Sequence, residues 1–180
     1  MKKINIGCGS RNFGKDWIHI DGGDHMHLDY QSITKLQLDD ESIDLIYASH
    51  VIEYFDLVEI NDVLIEWRRV LKKNGILRVA VPDFETMSRL YTLGQYPLER
   101  FLGPLYGRMN MGHETIYHRT TYDFNLLQKT LHSSGFENVR RYDWRETDHH
   151  MFDDHSQAYL PHMDKDNGTL ISLNIECTRG

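Results

Sequence analysis

Cysteine is scarce in this 180-residue sequence. Cys8 and Cys177 stand far apart and without metal-type spacing, which argues against a disulfide scaffold or structural zinc and fits a reducing compartment. Long apolar runs are missing as well. None approaches the roughly 18 residues a membrane-spanning helix needs, and the opening MKKINIGCGS has too short an apolar stretch for a secretion signal. A cytoplasmic protein without a membrane span is expected. Positive charge is also short. Twenty Lys and Arg against 27 Asp and Glu give a net charge of −7, which argues against a broad nucleic-acid-binding face. The local cluster Arg68, Arg69, Lys72 and Lys73 reads as the solvated end of a helix, complementing its dipole. Repeats and low-complexity linkers are absent, so residues 1–180 are taken as one domain.

What is present alternates between two periods. Lys3–Ile6 and Trp17–Ile20 read as short strands, each stopped by glycines, and a third very short strand is expected around Met26–Leu28. The near-continuous apolar run Ile43–Ala48 suits a strand buried on both faces. Asp56 and Glu59 then form a capping box. Ile60, Val63, Leu64, Trp67, Val70 and Leu71 follow at helical spacing, with Lys72 and Lys73 in the last turn and Gly75 as the stop. Ile76–Val81 returns as a strand, completing a strand–helix–strand unit. Asp83 to about Leu93 is helical. Residues 94–120 lack a clean period and read as loop or broken helix. A further helix runs from about Thr121 to a stop at Gly135, with Phe124, Leu127 and Leu131 on one face. Phe136–Tyr142 and Leu170–Cys177 are the last strands, separated by a polar tract rich in His and Asp. Strands alternating with helices predict a doubly wound α/β sheet.

In such sheets ligands bind beyond the carboxyl ends of the strands. Those positions hold Gly7-Cys8-Gly9, Asp21, Asp29, Ala48-Ser49-His50 and Pro82-Asp83. Glycines let a backbone approach a ligand closely, and a carboxylate can accept hydrogen bonds from two ribose hydroxyls. These are the parts of a nucleoside site.

The segments INIGCGS (4–10), HID (19–21), ESIDLIYASHVIEYF (41–55) and WRRVLKKNGILRVAVPDFE (67–85) together resemble the small class I S-adenosylmethionine-dependent methyltransferases, of the type 11-like kind. The resemblance covers residues 3–90, and more weakly the Gly135-Phe136 hinge. It implies a Rossmann-like, mostly parallel sheet in a three-layer α/β/α sandwich. It also implies S-adenosylmethionine as cofactor, with S-adenosylhomocysteine as product. Carried over residue by residue, Gly7, Cys8 and Gly9 face the methionine moiety, and Asp21, with Gly22 beside it, binds the ribose. Asp29 and Tyr30 lie near the adenine, while Ser49 and His50 flank the sulfonium. Asn5 stands where the family often has an acid. Only 12 residues separate Gly9 from Asp21, so the first helix is expected to be a single turn or absent.

Methyl transfer needs alignment, exclusion of water and, for a hydroxyl acceptor, a base. His50 is the expected base and His118 the second candidate. Tyr54, His113, Tyr117, Asp153, Asp154 and His155 are expected around the acceptor, with 94–120 and 143–169 as covering loops. The tract 148–155 carries atom types that can ligate a metal, but its spacing is not diagnostic and no metal is assigned. A small-molecule or glycan acceptor is expected. Two rivals share the fold class. A nicotinamide dehydrogenase needs a third glycine where Asn12 stands; a non-catalytic nucleoside-binding protein would keep the fold and lose the chemistry.

Overall fold

The short apolar runs become strands because both of their faces are covered. The computed structural model describes residues 1–180 except residue 113. In chain order the elements are β1 (Lys3–Ile6), β2 (Trp17–Ile20), β3 (Ile43–Ser49), α1 (Glu59–Val70), β4 (Leu71–Pro82), α2 (Phe84–Thr92) and α3 (Glu99–Tyr106). Then follow β5 (Met109–Asn110), β6 (Thr115–Ile116), α4 (Phe124–Ser133), β7 (Phe136–Arg141), β8 (Tyr159–Leu160), β9 (Thr169–Leu170) and β10 (Ser172–Arg179). Six strands form one sheet in the order β2-β1-β3-β4-β10-β7. β1 is parallel to β2 and β3, and β3 to β4; β10 runs antiparallel to β4 and β7. The chain leaves β1 toward β2 on one side and returns to β3 on the other. The switch point therefore lies at the carboxyl ends of β1 and β3.

One face of the sheet carries Ile4, Ile6, Ile46, Ala48, Leu77, Val79, Leu173 and Ile175, packed in one apolar cluster with Leu64, Trp67, Leu127 and Leu131 of α1 and α4. The other face is mixed: Asn5, Tyr47, Arg78, Asn174 and Glu176 alternate with the apolar set. In place of long helices, residues 142–157 cover it. Tyr47 Oη donates to Asp154 Oδ2 at 2.6 Å, Asn174 Nδ2 donates to the Ser156 carbonyl at 2.8 Å, and Phe13 stacks on Phe152 at 4.3 Å. No helix forms between β1 and β2, in keeping with the short spacing there.

Several boundaries differ from expectation. Asp56 accepts from the Val58 and Glu59 amides at 2.9 Å and Glu59 accepts from the Asp56 amide at 3.4 Å, but these bonds lie in the turn leading into α1, whose N-cap position is Val58. The helix ends at Val70, however, so Lys72, Lys73 and Gly75 belong to β4. Leu71 is drawn into register with Ile43, and Lys72 Nζ meets Asp44 at 2.9 Å. The expected strand at 26–28 is a turn. Its one trace is a single parallel bridge between Ile20 and Tyr30, since Met26 faces solvent and has nothing to pack against. Residues 94–120 contain α3 and the β5–β6 ribbon.

Candidate functional site

At the switch point β1 ends in a turn that only glycine fits. Gly7 has φ +70°, and a Cβ there would lie 2.2 Å from Val51 Cγ2. Gly9 has φ +55° with open space where its Cβ would be. Asp21, at the end of β2, ties this turn to its own: Oδ2 accepts from the Gly9 amide at 2.8 Å and Oδ1 from the Gly23 amide at 2.7 Å. Sequence positions 9 and 21 thus converge. Cys8 is buried with Sγ 3.7 Å from His27 Nε2, and burial, then Asp21, push its thiol up to about 12, so it is not a nucleophile. Gly22 is exposed beside them. Asp29 is exposed and accepts from the His19 amide at 2.8 Å. Asp29 and Tyr30 line a second concavity of about 480 Å³.

A large concavity, about 930 Å³, opens beyond β3 and is lined by His50, Tyr54, His118, Asp153, Asp154 and His155, with Arg11, Arg100 and Arg108 also on its wall. His50 continues the sheet ladder, its amide donating to the Ala80 carbonyl at 2.8 Å, but takes φ +56°. That left-handed conformation is uncommon for a non-glycine residue and costs about a kcal/mol or more. It marks the site as built against local preference. Burial, helped by His155, His118 and Arg11, holds the His50 imidazole well below its usual range, so it is neutral at pH 7.

Beneath His50 lies a residue that sequence reading missed. Glu53 is completely buried in the 3-10 turn Ile52–Tyr54. Its Oε1 lies 3.4 Å from His50 Nδ1 and 3.7 Å from His118 Nε2, outside hydrogen-bond geometry, and both carboxyl oxygens lack a partner. These distances admit an ion pair, but burial pushes Glu53 up to about 8 and lowers both histidines. We assign all three as neutral at pH 7. His118 Nδ1 lies 2.9 Å from the Pro104 carbonyl, which can only accept. His118 therefore carries its proton on Nδ1 and presents bare Nε2 to Glu53. Its ring also packs over Gly107, where a Cβ would be 1.9 Å from Nε2. Tyr54 Oη donates to the Gly107 carbonyl at 2.8 Å.

The remaining expected residues divide. Ser49 Oγ donates to Asp154 Oδ1 at 3.3 Å, so Asp154 anchors the covering tract as well as lining the cavity. Asp153 pairs with Lys165 at 2.7 Å, and the His155 ring lies 5.0 Å from that of His50. Asn5 is buried within β1, paired with His19 and Tyr47 across the strands. Tyr117 is exposed and does not line the large cavity. His113 lies outside the described residues. Among the described residues no group of three or more potential ligands could hold a metal, and no helix is long and apolar enough to cross a membrane.

Residues 4–79 match the family model of a methyltransferase domain. No curated protein sequence matches the chain. Among solved structures, a SAM-dependent methyltransferase from Methanosarcina mazei is similar at TM-score 0.58 and 17% identity, over 98% of this chain and 91% of that one. A SAM-dependent methyltransferase from Thermotoga maritima, described as a possible histamine N-methyltransferase, gives 0.58 and 15%, over 99% and 82%. A SAM-dependent methyltransferase from Archaeoglobus fulgidus gives 0.59 and 13%, over 98% and 85%.

Proposed function

We propose that the chain, which matches a methyltransferase-domain model over residues 4–79 and shares the fold of SAM-dependent methyltransferases, is a class I S-adenosylmethionine-dependent methyltransferase that methylates an oxygen or nitrogen of a small-molecule or glycan acceptor seated beside His50. The convergence of Gly9 and Asp21 at 2.8 Å carries this reading. An ionised carboxylate can accept about four hydrogen bonds. Gly9 and Gly23 take two of Asp21's, leaving room for two ribose hydroxyls. The open space over Gly9 suits a ligand laid against the backbone. The donor set therefore fits the cofactor: Gly7, Cys8 and Gly9 would hold its methionine moiety, Asp21 its ribose and Asp29 with Tyr30 its adenine side, while Ser49 and His50 would stand by the sulfonium. Bound S-adenosylmethionine supplies a methyl group already activated by a positive sulfonium.

The residues of the chain supply the rest. The large cavity, at about 930 Å³, matches the size of small-molecule sites. His50, neutral and on the cavity wall with its Nε2 buried and unpartnered, takes the acceptor's proton, and His118 lines the same cavity. Calorimetric titration with S-adenosylmethionine tests the cofactor site. Removing hydrogen bonds to a charged group costs roughly 1.5–3 kcal/mol, so Asp21→Ala is expected to weaken binding about ten- to hundredfold. An unchanged affinity removes Asp21 from the site.

A further inference from the structure

A base held well below its ordinary range accepts a proton poorly unless the charge can move on. His50 is such a base. Its Nδ1 lies 3.4 Å from a carboxyl oxygen, and its Nε2 is buried without a partner. That carboxyl belongs to Glu53, which has two orphaned oxygens and faces the bare Nε2 of His118 on its other side. We propose that Glu53 is a positioning residue that joins His50 to His118 in one proton path running along the cavity wall. The inference rests on the reading of His50 as the residue facing the acceptor.

Donor and acceptor roles fix the direction of the path. The Pro104 carbonyl requires a proton on His118 Nδ1, so His118 Nε2 can only accept. A neutral Glu53 has one proton, and the partner that can receive it is His118 Nε2. The lone pairs of Glu53 then accept Nδ1–H from His50, which leaves His50 Nε2 bare. When the acceptor's proton arrives at His50 Nε2, His50 Nδ1–H passes to Glu53 and the Glu53 proton passes to His118 Nε2. The N–H and O–H bonds broken equal those formed, Glu53 ends neutral, and one positive charge has moved from His50 to His118. His118 is the better resting place. It is less desolvated than His50, and the carbonyls of Pro104 and Leu105 favour its charged form.

The surroundings suit this role. Titratable groups facing Glu53 are His50 and Tyr54 from its own turn, His118 from the following segment and Tyr122 from the start of α4. Among the described residues no lysine or arginine pairs with it. The Glu53 carbonyl accepts the Arg119 and Thr120 amides at 2.8 and 3.1 Å, which fixes the His118 segment against the turn. The 3.4 and 3.7 Å separations shorten to hydrogen bonds with small side-chain movement, as catalytic contacts commonly do once ligands bind.

Nitrogen-15 NMR of the imidazoles, on the full chain at pH 7 with S-adenosylhomocysteine added as probe, reads the path directly. Both His50 and His118 are expected as Nδ1–H tautomers. Difference infrared spectroscopy of wild type against Glu53→Gln is expected to show a protonated-carboxyl band that the variant lacks. The carboxamide of that variant can still accept from His50 and donate to His118, so the tautomers should persist in E53Q while the linked titration of the two rings disappears. An Nε2–H tautomer at His50, or an ionised Glu53 at pH 7, overturns the proposal. The tautomer measurement on wild type needs no variant to fold. Cofactor titration reads a different site, so failure of the methyltransferase reading and failure of this path are distinguishable.

Discussion

The two faces of the sheet are built on different physics. One is dry and apolar: Ile4, Ile6, Ile46, Leu77 and Ile175 meet α1 and α4 with almost no exposure. The other is held by directed bonds, with Arg78 Nε on Glu176 at 2.8 Å, Tyr47 on Asp154, and His149 packed 4.1 Å from the Tyr47 ring. Burial on the first face stabilises without regard to pH or direction. The second depends on protonation states and particular partners, and it leads to the cavity. One side is thus stabilised by burial alone and the other by directed bonds.

The division can be broken on the apolar side first. Trp67 is fully buried, and its indole N–H donates to the Ile33 carbonyl at 2.8 Å. Trp67→Ala is expected to cost about 3–5 kcal/mol in chemical denaturation. At the carboxyl edge, Glu53 keeps its proton in the folded chain up to about pH 8, whereas its ordinary value is 4.5. The folded state binds the extra proton between these values, so this contribution is complete below pH 4.5 and is lost as pH rises through 8. Glu53→Gln should flatten that decline, by at most about 4 kcal/mol, in denaturation curves from about pH 5 to 9. His149 acts in the opposite sense. Burial first, and then Arg78, lower it to about 4, so the unfolded chain takes the proton first and stability falls as pH drops from 6.5 toward 4. His149→Phe should remove up to about 3 kcal/mol of that acid sensitivity. The smallest effect is expected for Tyr47→Phe, which leaves Asp154 short of one donor, at about 1–2 kcal/mol by the same denaturation assay.

The sequence was most legible where one period governs. The apolar run of β3 and the spacing of Ile60, Val63, Leu64 and Trp67 marked elements that the structure contains, because burial acts on every residue of them. Boundaries set by a distant partner were not legible: Lys72 and Lys73 suit a helix end, yet pairing of Leu71 with Ile43 claims them for the strand. α3 was hidden by Gly103 and Pro104 within it. In the site, glycine turn and carboxylate could be anticipated from strand ends. Glu53 could not, since an acid inside VIEYF looks like any polar break in an apolar run. Its one signal was the three-residue spacing from His50, which in a tight turn brings the two side chains to the same side. That residues 142–157, within the expected covering loop, also cover one face of the sheet was not legible, because their burial rests on hydrogen bonds that leave no periodic trace.

The position of β10 bears on how the protein is made. Residues 172–179 lie between β4 and β7, so two neighbours synthesised earlier have no shared border until this strand arrives. Until it has cleared the ribosome, β4 and β7 present bare edges, the kind of surface that invites aggregation. Completion of the sheet therefore waits until residue 179 has emerged, and a nascent chain stalled before residue 172 is a natural client for chaperones.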